Sequence, residues 1–291
     1  MLHLCYDRFM DIVLRKTPVR RMETDISDKV VVMANDMIRG ISKLSLMEAK
    51  FLRLLIMQNK PNDEDFGAFR ISAADLAEVL QIPKVNIYRE ADKMTDHLMR
   101  EVIKIGDGNA HHAWRKFQWL SYCEYESGVF TIQLHPELKP YLIGLRKWYT
   151  QYRIEEIIRF SSGYSIRIYE LISMAMKGSK PYGDNVTEVY LDIETIRKAT
   201  GTENKYTSAN TFKNRIIDTA VKEINEKTSY HVDYKEYKLS RKIAGFTFRV
   251  QSQARYQYME RRSLEDAPPV KNDQIEGQMS LFDLPDAEEA D

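Results

Sequence analysis

Two stretches decide the fold: Phe69-Arg70-Ile71-Ser72-Ala73-Ala74-Asp75-Leu76 and Val189-Tyr190-Leu191-Asp192-Ile193-Glu194-Thr195-Ile196. They stand about 120 residues apart, and each reads as a short strand running into a short capped helix. After each come a tight turn, a longer amphipathic helix (Ile87 to Leu98; Phe212 to Ile224) and a β-rich segment (Val102-Ile103-Lys104-Ile105; Tyr230-His231-Val232-Asp233-Tyr234). Helix, turn, second helix and trailing hairpin make a winged helix. A tandem pair suggests a protein that holds one face of a DNA duplex over more than one helical turn.

Outward from these stretches, Ser45-x-x-Glu48 is a capping box that predicts an apolar helix to about Gln58, with Leu52, Leu55 and Ile56 in a core. Lys29 to Ile41 is apolar enough to add a strand or short helix. Ser72-x-x-Asp75 opens the next helix, with Leu76, Val79 and Leu80 inward. Ile82-Pro83 forces a turn, because proline cannot continue a helix interior. Ile87, Ala91, Met94 and Leu98 then recur on one face. Gly106-Asp107-Gly108-Asn109 and Ser127-Gly128 punctuate a β-rich stretch. His135-Pro136-Glu137 predicts a helix reaching toward Trp148, and Tyr152 to Phe160 and Tyr164 to Met176 predict two more before a break at Gly178-Ser179-Lys180-Pro181. The expected fold is α+β, mainly helical: an N-terminal extension (1–27), a first winged helix (28–143), a second (144–258) and a disordered acidic tail (259–291).

The 291 residues, 43% hydrophobic and 30% charged, suit two ordinary globular domains. No run is long and apolar enough for a membrane span, and Asp7, Arg8 and Asp11 interrupt the N-terminal apolar stretch that a signal peptide needs. Cys5 and Cys123 form no metal spacing and no disulfide framework, so a reducing cytoplasm is the expected location. Lys+Arg and Asp+Glu balance at 43 each. The balance hides an asymmetry. From Ser263 onward stand Glu265, Asp266, Asp273, Glu276, Asp283, Asp286, Glu288, Glu289 and Asp291 against Lys271 alone, a net −8, so residues 1–262 carry +8. A basic body is compatible with a polyanion partner; an ordinary soluble body with a solvated tail accounts for the charge equally well.

In a winged helix the second helix of the pair usually enters the major groove, while the hairpin tip touches phosphates. In the second unit the inward stripe Phe212, Ile216, Ala220 and Ile224 leaves Ser208, Thr211, Lys213, Asn214 and Arg215 facing outward near the helix start. Arginine matches guanine O6/N7 and asparagine matches adenine N6/N7, each through two hydrogen bonds. Lys238, Arg241 and Lys242 lie near the hairpin tip. The first unit offers Lys84, Asn86, Tyr88 and Arg89 at its helix start and Lys104, Arg115 and Lys116 in the strands behind. These suit phosphate contacts that position without reading sequence. The plain alternative for both sets is a solvated helix face, and it is stronger in the first unit, where Glu90 and Asp92 intervene.

Further segments carry a family resemblance: His135-Pro136-Glu137-Leu138-Lys139-Pro140-Tyr141-Leu142, Tyr164-Ser165-Ile166-Arg167-Ile168-Tyr169-Glu170-Leu171, and Phe212 through Asn225 followed by Thr228, Val232-Asp233-Tyr234 and Gly245-Phe246-x-Phe248. In that order and spacing the chain resembles, over residues 28–255, the plasmid replication initiators with two winged-helix domains that bind repeated origin sequences, or iterons. The resemblance implies double-stranded origin DNA as partner, read mainly by the second domain and also met by the first. It implies a homodimer through the first domain in many members, repression of the initiator's own gene, melting of adjacent AT-rich DNA and recruitment of host replication proteins. Residues 1–27 lie outside the shared pattern.

Gln278-Met279-Ser280-Leu281-Phe282 is similar to the peptide by which bacterial proteins bind the sliding clamp, with Met in place of the usual Leu. Three apolar anchors in a charged tail suit a preformed pocket, although an incidental apolar patch or a segment docking on the protein's own body remains an alternative. No catalytic residue, metal or cofactor is expected. There is no phosphate loop for an ATPase, and the adjacent His111-His112 would point to opposite sides of a strand rather than share a metal. A transcriptional repressor built on the same winged helices is the alternative, and the tail peptide discriminates: a pure repressor has no use for a clamp.

Overall fold

The computed structural model describes residues 18–40, 43–60, 63, 66–105, 114–176, 186–240, 242–254 and 256–257. The Gly106 to Asn109 turn, His111-His112, the Gly178 to Pro181 break, Arg241 and the tail with Gln278, Met279, Ser280, Leu281 and Phe282 lie outside the described residues.

Local signals set the first half. Strands β1 (Val19–Arg21) and β2 (Val30–Ala34) and the short helix α1 (Asn35–Arg39) precede α2 (Leu46–Met57). The capping box forms: Glu48 N donates to Ser45 Oγ at 3.3 Å and Ser45 N to Glu48 Oε2 at 2.7 Å. Leu52, Leu55 and Ile56 are buried. Strand β3 (Ala68–Ser72) runs into α3 (Ala73–Val79), capped where Asp75 N donates to Ser72 Oγ at 3.0 Å. Leu76 and Leu80 are buried and Val79 packs partly buried against them. Beyond Pro83 one 3-10 turn (Lys84–Asn86) leads into α4 (Ile87–Arg100), whose Ile87, Ala91, Met94 and Leu98 all face the core. Strands β4 (Val102–Ile105), β5 (Arg115–Gln118), β6 (Leu120–Glu126) and β7 (Val129–Leu134) follow.

The second half begins with α5 (Lys139–Leu142), β8 (Tyr149–Arg153), α6 (Ile154–Arg159) and α7 (Gly163–Ala175). Strand β9 (Thr187–Asp192) then enters α8 (Ile193–Thr200), capped by Asp192. Helix α9 (Ala209–Phe212) passes through a π-helical stretch (Lys213–Asp218) into α10 (Thr219–Lys227), and the hairpin β10 (Tyr230–Leu239) and β11 (Lys242–Ser252) closes the unit.

The two halves share a topology. In each, the strand before the helix pair bonds to the second strand of the wing: β3 to β7 with β6 outside, β9 to β11 with β10 outside. The strand matching β10 is therefore β6, not the Val102–Ile105 segment that the repeat suggests. That segment pairs with β5 as a separate two-stranded insert.

Two helix expectations change. The helix after His135 ends at Leu142, because Ile143 is extended and Gly144 takes φ +66°. A left-handed residue just past the last turn is how helices commonly stop. Tyr149 to Arg153 is a strand paired with β2, so Tyr152 precedes the helix that begins at Ile154. Its burial alternates, Thr150 and Tyr152 inward, which is a period of two rather than 3.6. The β2–β8 ladder joins the beginnings of the two halves, and one continuous core runs through both. Among the described residues no helix is long and apolar enough to cross a membrane, and no group of three His, Cys, Asp or Glu could hold a metal ion.

Candidate nucleic-acid interface

In the second unit the turn that presents the long helix is built around Arg197 on α8. Its Nη1 donates to Thr202 O at 2.9 Å and Lys205 O at 2.8 Å, its Nη2 to Tyr206 O at 3.0 Å. The guanidinium also lies 4.2 Å from the centroid of the Phe212 ring. One side chain thus satisfies three loop carbonyls and presses the loop onto the first core residue of the helix. Gly201, with φ +63°, ends α8 so that this loop can begin. Arg197 was not among the expected site residues; the bonds it makes run to backbone, which leaves no partner residue to recognise in the sequence.

The inward stripe is as expected: Phe212, Ile216, Ala220 and Ile224 are buried. Their uniform spacing of four drifts by about 40° per step on an α-helix of 3.6 residues per turn. The π-helical stretch removes the drift by taking more residues per turn, and it buries Ile217 as well. Thr219 Oγ1 donates to Asn214 O at 3.1 Å within this widened turn. Ser208, Thr211, Asn214 and Arg215 are all exposed at the helix start. With its amide nitrogen turned inward, Asn214 donates to Asp218 Oδ2 at 3.1 Å and Asn210 O at 3.2 Å, which leaves the amide oxygen outward.

Lys213 is half-buried and lies 3.4 Å from Glu236 on β10, which also meets Lys238 at 2.9 Å. The bond from Lys238 holds the Glu236 carboxyl below the usual carboxylate range, and Lys213 adds to it. Tyr234 donates its hydroxyl to Asp218 from the same strand. Burial and that bond push the Tyr234 phenol well up. The long helix and the wing are thereby tied together, with Lys238 and Lys242 exposed toward the wing tip.

The first unit divides its candidates. Lys84, Tyr88 and Arg89 are exposed at the start of α4, where Arg89 donates to Asn86 Oδ1 at 3.2 Å and pairs with Glu90 at 3.3 Å. Lys104, Arg115 and Lys116 sit on the β4–β5 insert, with Lys104 directly across the ladder from Lys116. Lys116 lies over the Trp114 ring, 4.7 Å from its centroid. Like charges facing each other across a ladder are unfavourable alone and are relieved by an anionic partner.

Residues 30–173 match the model of the family described as Initiator Replication protein, WH1, and residues 192–250 the model described as Initiator Rep protein, WH2. A replication initiation protein of Escherichia coli is 26% identical over 173 residues, covering 57% of this chain and 53% of that relative, so the chain spans about half of the relative's length. An uncharacterized 27.6 kDa protein of Escherichia coli is 21% identical over 227 residues, 73% of this chain and 92% of that protein. The fold is similar to that of the Pi initiator protein, solved in complex with iteron DNA, with a TM-score of 0.61 and 18% identity over 77% of this chain and 97% of that one.

Proposed function

The chain belongs to the initiator replication protein family, and from that premise we propose that it is a plasmid replication initiator acting in the cytoplasm. It binds repeated origin DNA (iterons), promotes opening of the adjacent duplex and recruits the host replisome, in part through the sliding clamp. Residues 28–143 and 144–258 are the two DNA-binding units. Ser208, Thr211, Asn214 and Arg215 read bases, Lys213 braces the reading helix against the wing, and Lys238, Arg241 and Lys242 hold phosphates. Lys84, Asn86, Arg89, Lys104, Arg115 and Lys116 position the first unit on the backbone. A second copy docks through the first unit when the protein represses its own gene. No bond is made or broken by the protein itself.

One observation carries this reading: two winged helices in tandem each expose the start of the long helix, and the second exposes hydroxyl, amide and guanidinium together. The fold is shared with a protein crystallised on iteron DNA; the assignment for this chain rests on its own helix faces. The test is autonomous replication. The gene and its flanking DNA, on a fragment with no other origin, should replicate, and repeats of about 20 base pairs, two helical turns, should lie beside it. Failure to replicate despite tight repeat binding would favour a transcriptional repressor, and a covalent tyrosyl–DNA adduct would reveal a nicking enzyme. The double substitution Leu281→Ala, Phe282→Ala should abolish capture of the purified clamp and spare repeat binding; undiminished capture rejects Gln278 to Phe282 as the contact.

A further inference from the structure

The two winged helices meet on a buried cluster of charge. Arg53 on α2 donates from Nε and Nη2 to the two carboxylate oxygens of Glu170 on α7, each at 2.9 Å. The Glu170 side chain is 0% exposed and that of Arg53 3%. Tyr152 on β8 donates to the same carboxylate at 2.5 Å and Arg167 Nη1 at 2.8 Å. Burial alone would favour the neutral acid, but the two guanidiniums outweigh it and hold the carboxyl below its ordinary range.

Arg167 does not spend all its donors on Glu170. Its Nη2 donates to Ile38 O at 2.5 Å and to Gly40 O at 3.3 Å, at the end of α1 in the first half. Its Nε donates to Ala199 O at 3.0 Å, in the last turn of α8 in the second half. Short paths lead on from both sides of the joint. Lys43 N, just beyond α1, donates to Glu101 Oε1 at 2.8 Å, one residue past the end of α4. Ala199 leads through Gly201 into the loop that presents α9. One planar group therefore links the ends of the elements that carry both long helices.

A buried ion pair is a weak source of net stability, and apolar packing of the same volume often serves as well. What a planar, forked donor supplies is direction. We propose that Arg167 is a positioning residue that fixes the spacing between the two long helices, so that the protein rejects DNA sites whose two contacted halves are one base pair too near or too far. The inference rests on the two-headed DNA reading given above. One extra base pair moves the second half by about 3.4 Å and turns it by roughly 34°, since a turn is 10–10.5 base pairs in 34–36 Å. A stiff joint cannot follow that displacement; a loosened one can.

The test compares full-length protein on the parent repeat with repeats carrying one base pair inserted or removed between the two protected grooves. Wild-type protein should lose about tenfold or more in affinity for each altered spacing, comparable to one mismatched contact. Arg167→Ala should bind the parent site more weakly while its spacing penalty falls to within about threefold, and Arg167→Lys, which reaches the carbonyls one at a time, should recover part of the discrimination. A variant weaker by one common factor at every spacing has lost stability only and overturns the proposal. So does wild-type protein indifferent to spacing. A readout without DNA separates this from failure of the DNA reading. With Cys5 and Cys123 replaced by Ser, spin labels at exposed Glu78 and Glu194 should give one narrow distance distribution, broadened in Arg167→Ala. An unchanged distribution rejects the joint; a broadened one, with no repeat bound by wild type, rejects the DNA reading instead.

Discussion

The first and second winged helices repeat one topology and present it differently. Between α3 and α4 the chain uses Leu80 to Asn86, with Gln81 at φ 57° and Lys84–Asn86 already wound into a 3-10 turn that runs on into the helix. Between α8 and α9 it uses residues 201–208, and Arg197 must hold three carbonyls to keep them in place. The faces differ too. The first two turns of α4 carry Arg89 and Lys93 against Glu90 and Asp92, whereas Ser208 to Arg215 holds no acid and exposes Arg215, its other base, Lys213, being turned to Glu236 on the wing. A balanced face can lie along phosphates but gains little from approaching them; a face with an exposed guanidinium, hydroxyls and an outward amide oxygen offers donors and an acceptor to base edges. A shared fold therefore settles which helix is presented, and the side chains at its first turns settle what it is presented to.

The largest effect should come from cutting the joint that makes the comparison meaningful. Glu170→Gln leaves Arg53 and Arg167 buried beside a neutral amide, and loss of one partner of a buried pair costs about 3–5 kcal/mol. Urea denaturation should show a single transition moved to lower denaturant, or two transitions if the halves come apart. The pH dependence has a defined sign. Because the Glu170 carboxyl is depressed in the folded protein, its contribution is complete above the unfolded value of about 4.3 and is lost as pH falls through the folded value. Wild-type stability should therefore drop more steeply below about pH 4 than that of Glu170→Gln. Parallel acid profiles would mean that Glu170 is not ionised in the native core.

Next in size is a paired substitution that sets the two faces against each other. Arg215→Ala should cost about 1–3 kcal/mol on the preferred sequence and flatten the response to base changes at one position. Arg89→Ala should weaken all sequences alike and reduce the salt slope by about one. Lys242→Ala at the wing tip should behave like Arg89→Ala although it belongs to the second unit, because phosphate contacts carry no sequence information. A binding panel over single-base substitutions at two salt concentrations checks all three. An unchanged base preference in Arg215→Ala removes that residue from the reading face.

What was legible in the chain was what is local. The Ser45–Glu48 box, the Ser72 cap, the stripe from Ile87 to Leu98 and the stripe from Phe212 to Ile224 each depend on residues within a few turns of one another, and each is in place. The wing strands were legible as β segments but not in their pairing, because the β4–β5 insert has the same composition as a wing. The β2–β8 ladder and the Arg53–Glu170 pair join residues more than a hundred apart, and short-range periodicity carries no record of such partners. The π-helical stretch left one trace, a spacing of four repeated without a three. The candidate DNA residues could be named by type, yet Lys213 faces Glu236 on the wing, which only the folded hairpin could reveal.

The smallest expected effect tests the weaker half of the comparison. If α4 lies along the DNA backbone, its exposed Asp92 opposes binding, and Asp92→Asn should strengthen association with any duplex by about twofold, the scale of a single exposed charge interaction. The gain should be seen at low salt and fade as the screening length falls to about 8 Å at physiological ionic strength. The substitution creates no base-reading group, so the sequence preference should stay with the second unit. Unaltered affinity at low salt would place α4 away from the phosphates. The neutral balance of Arg89, Glu90, Asp92 and Lys93 would then describe a face turned to solvent or to a second protein, and the second winged helix would bind DNA without help from the start of α4.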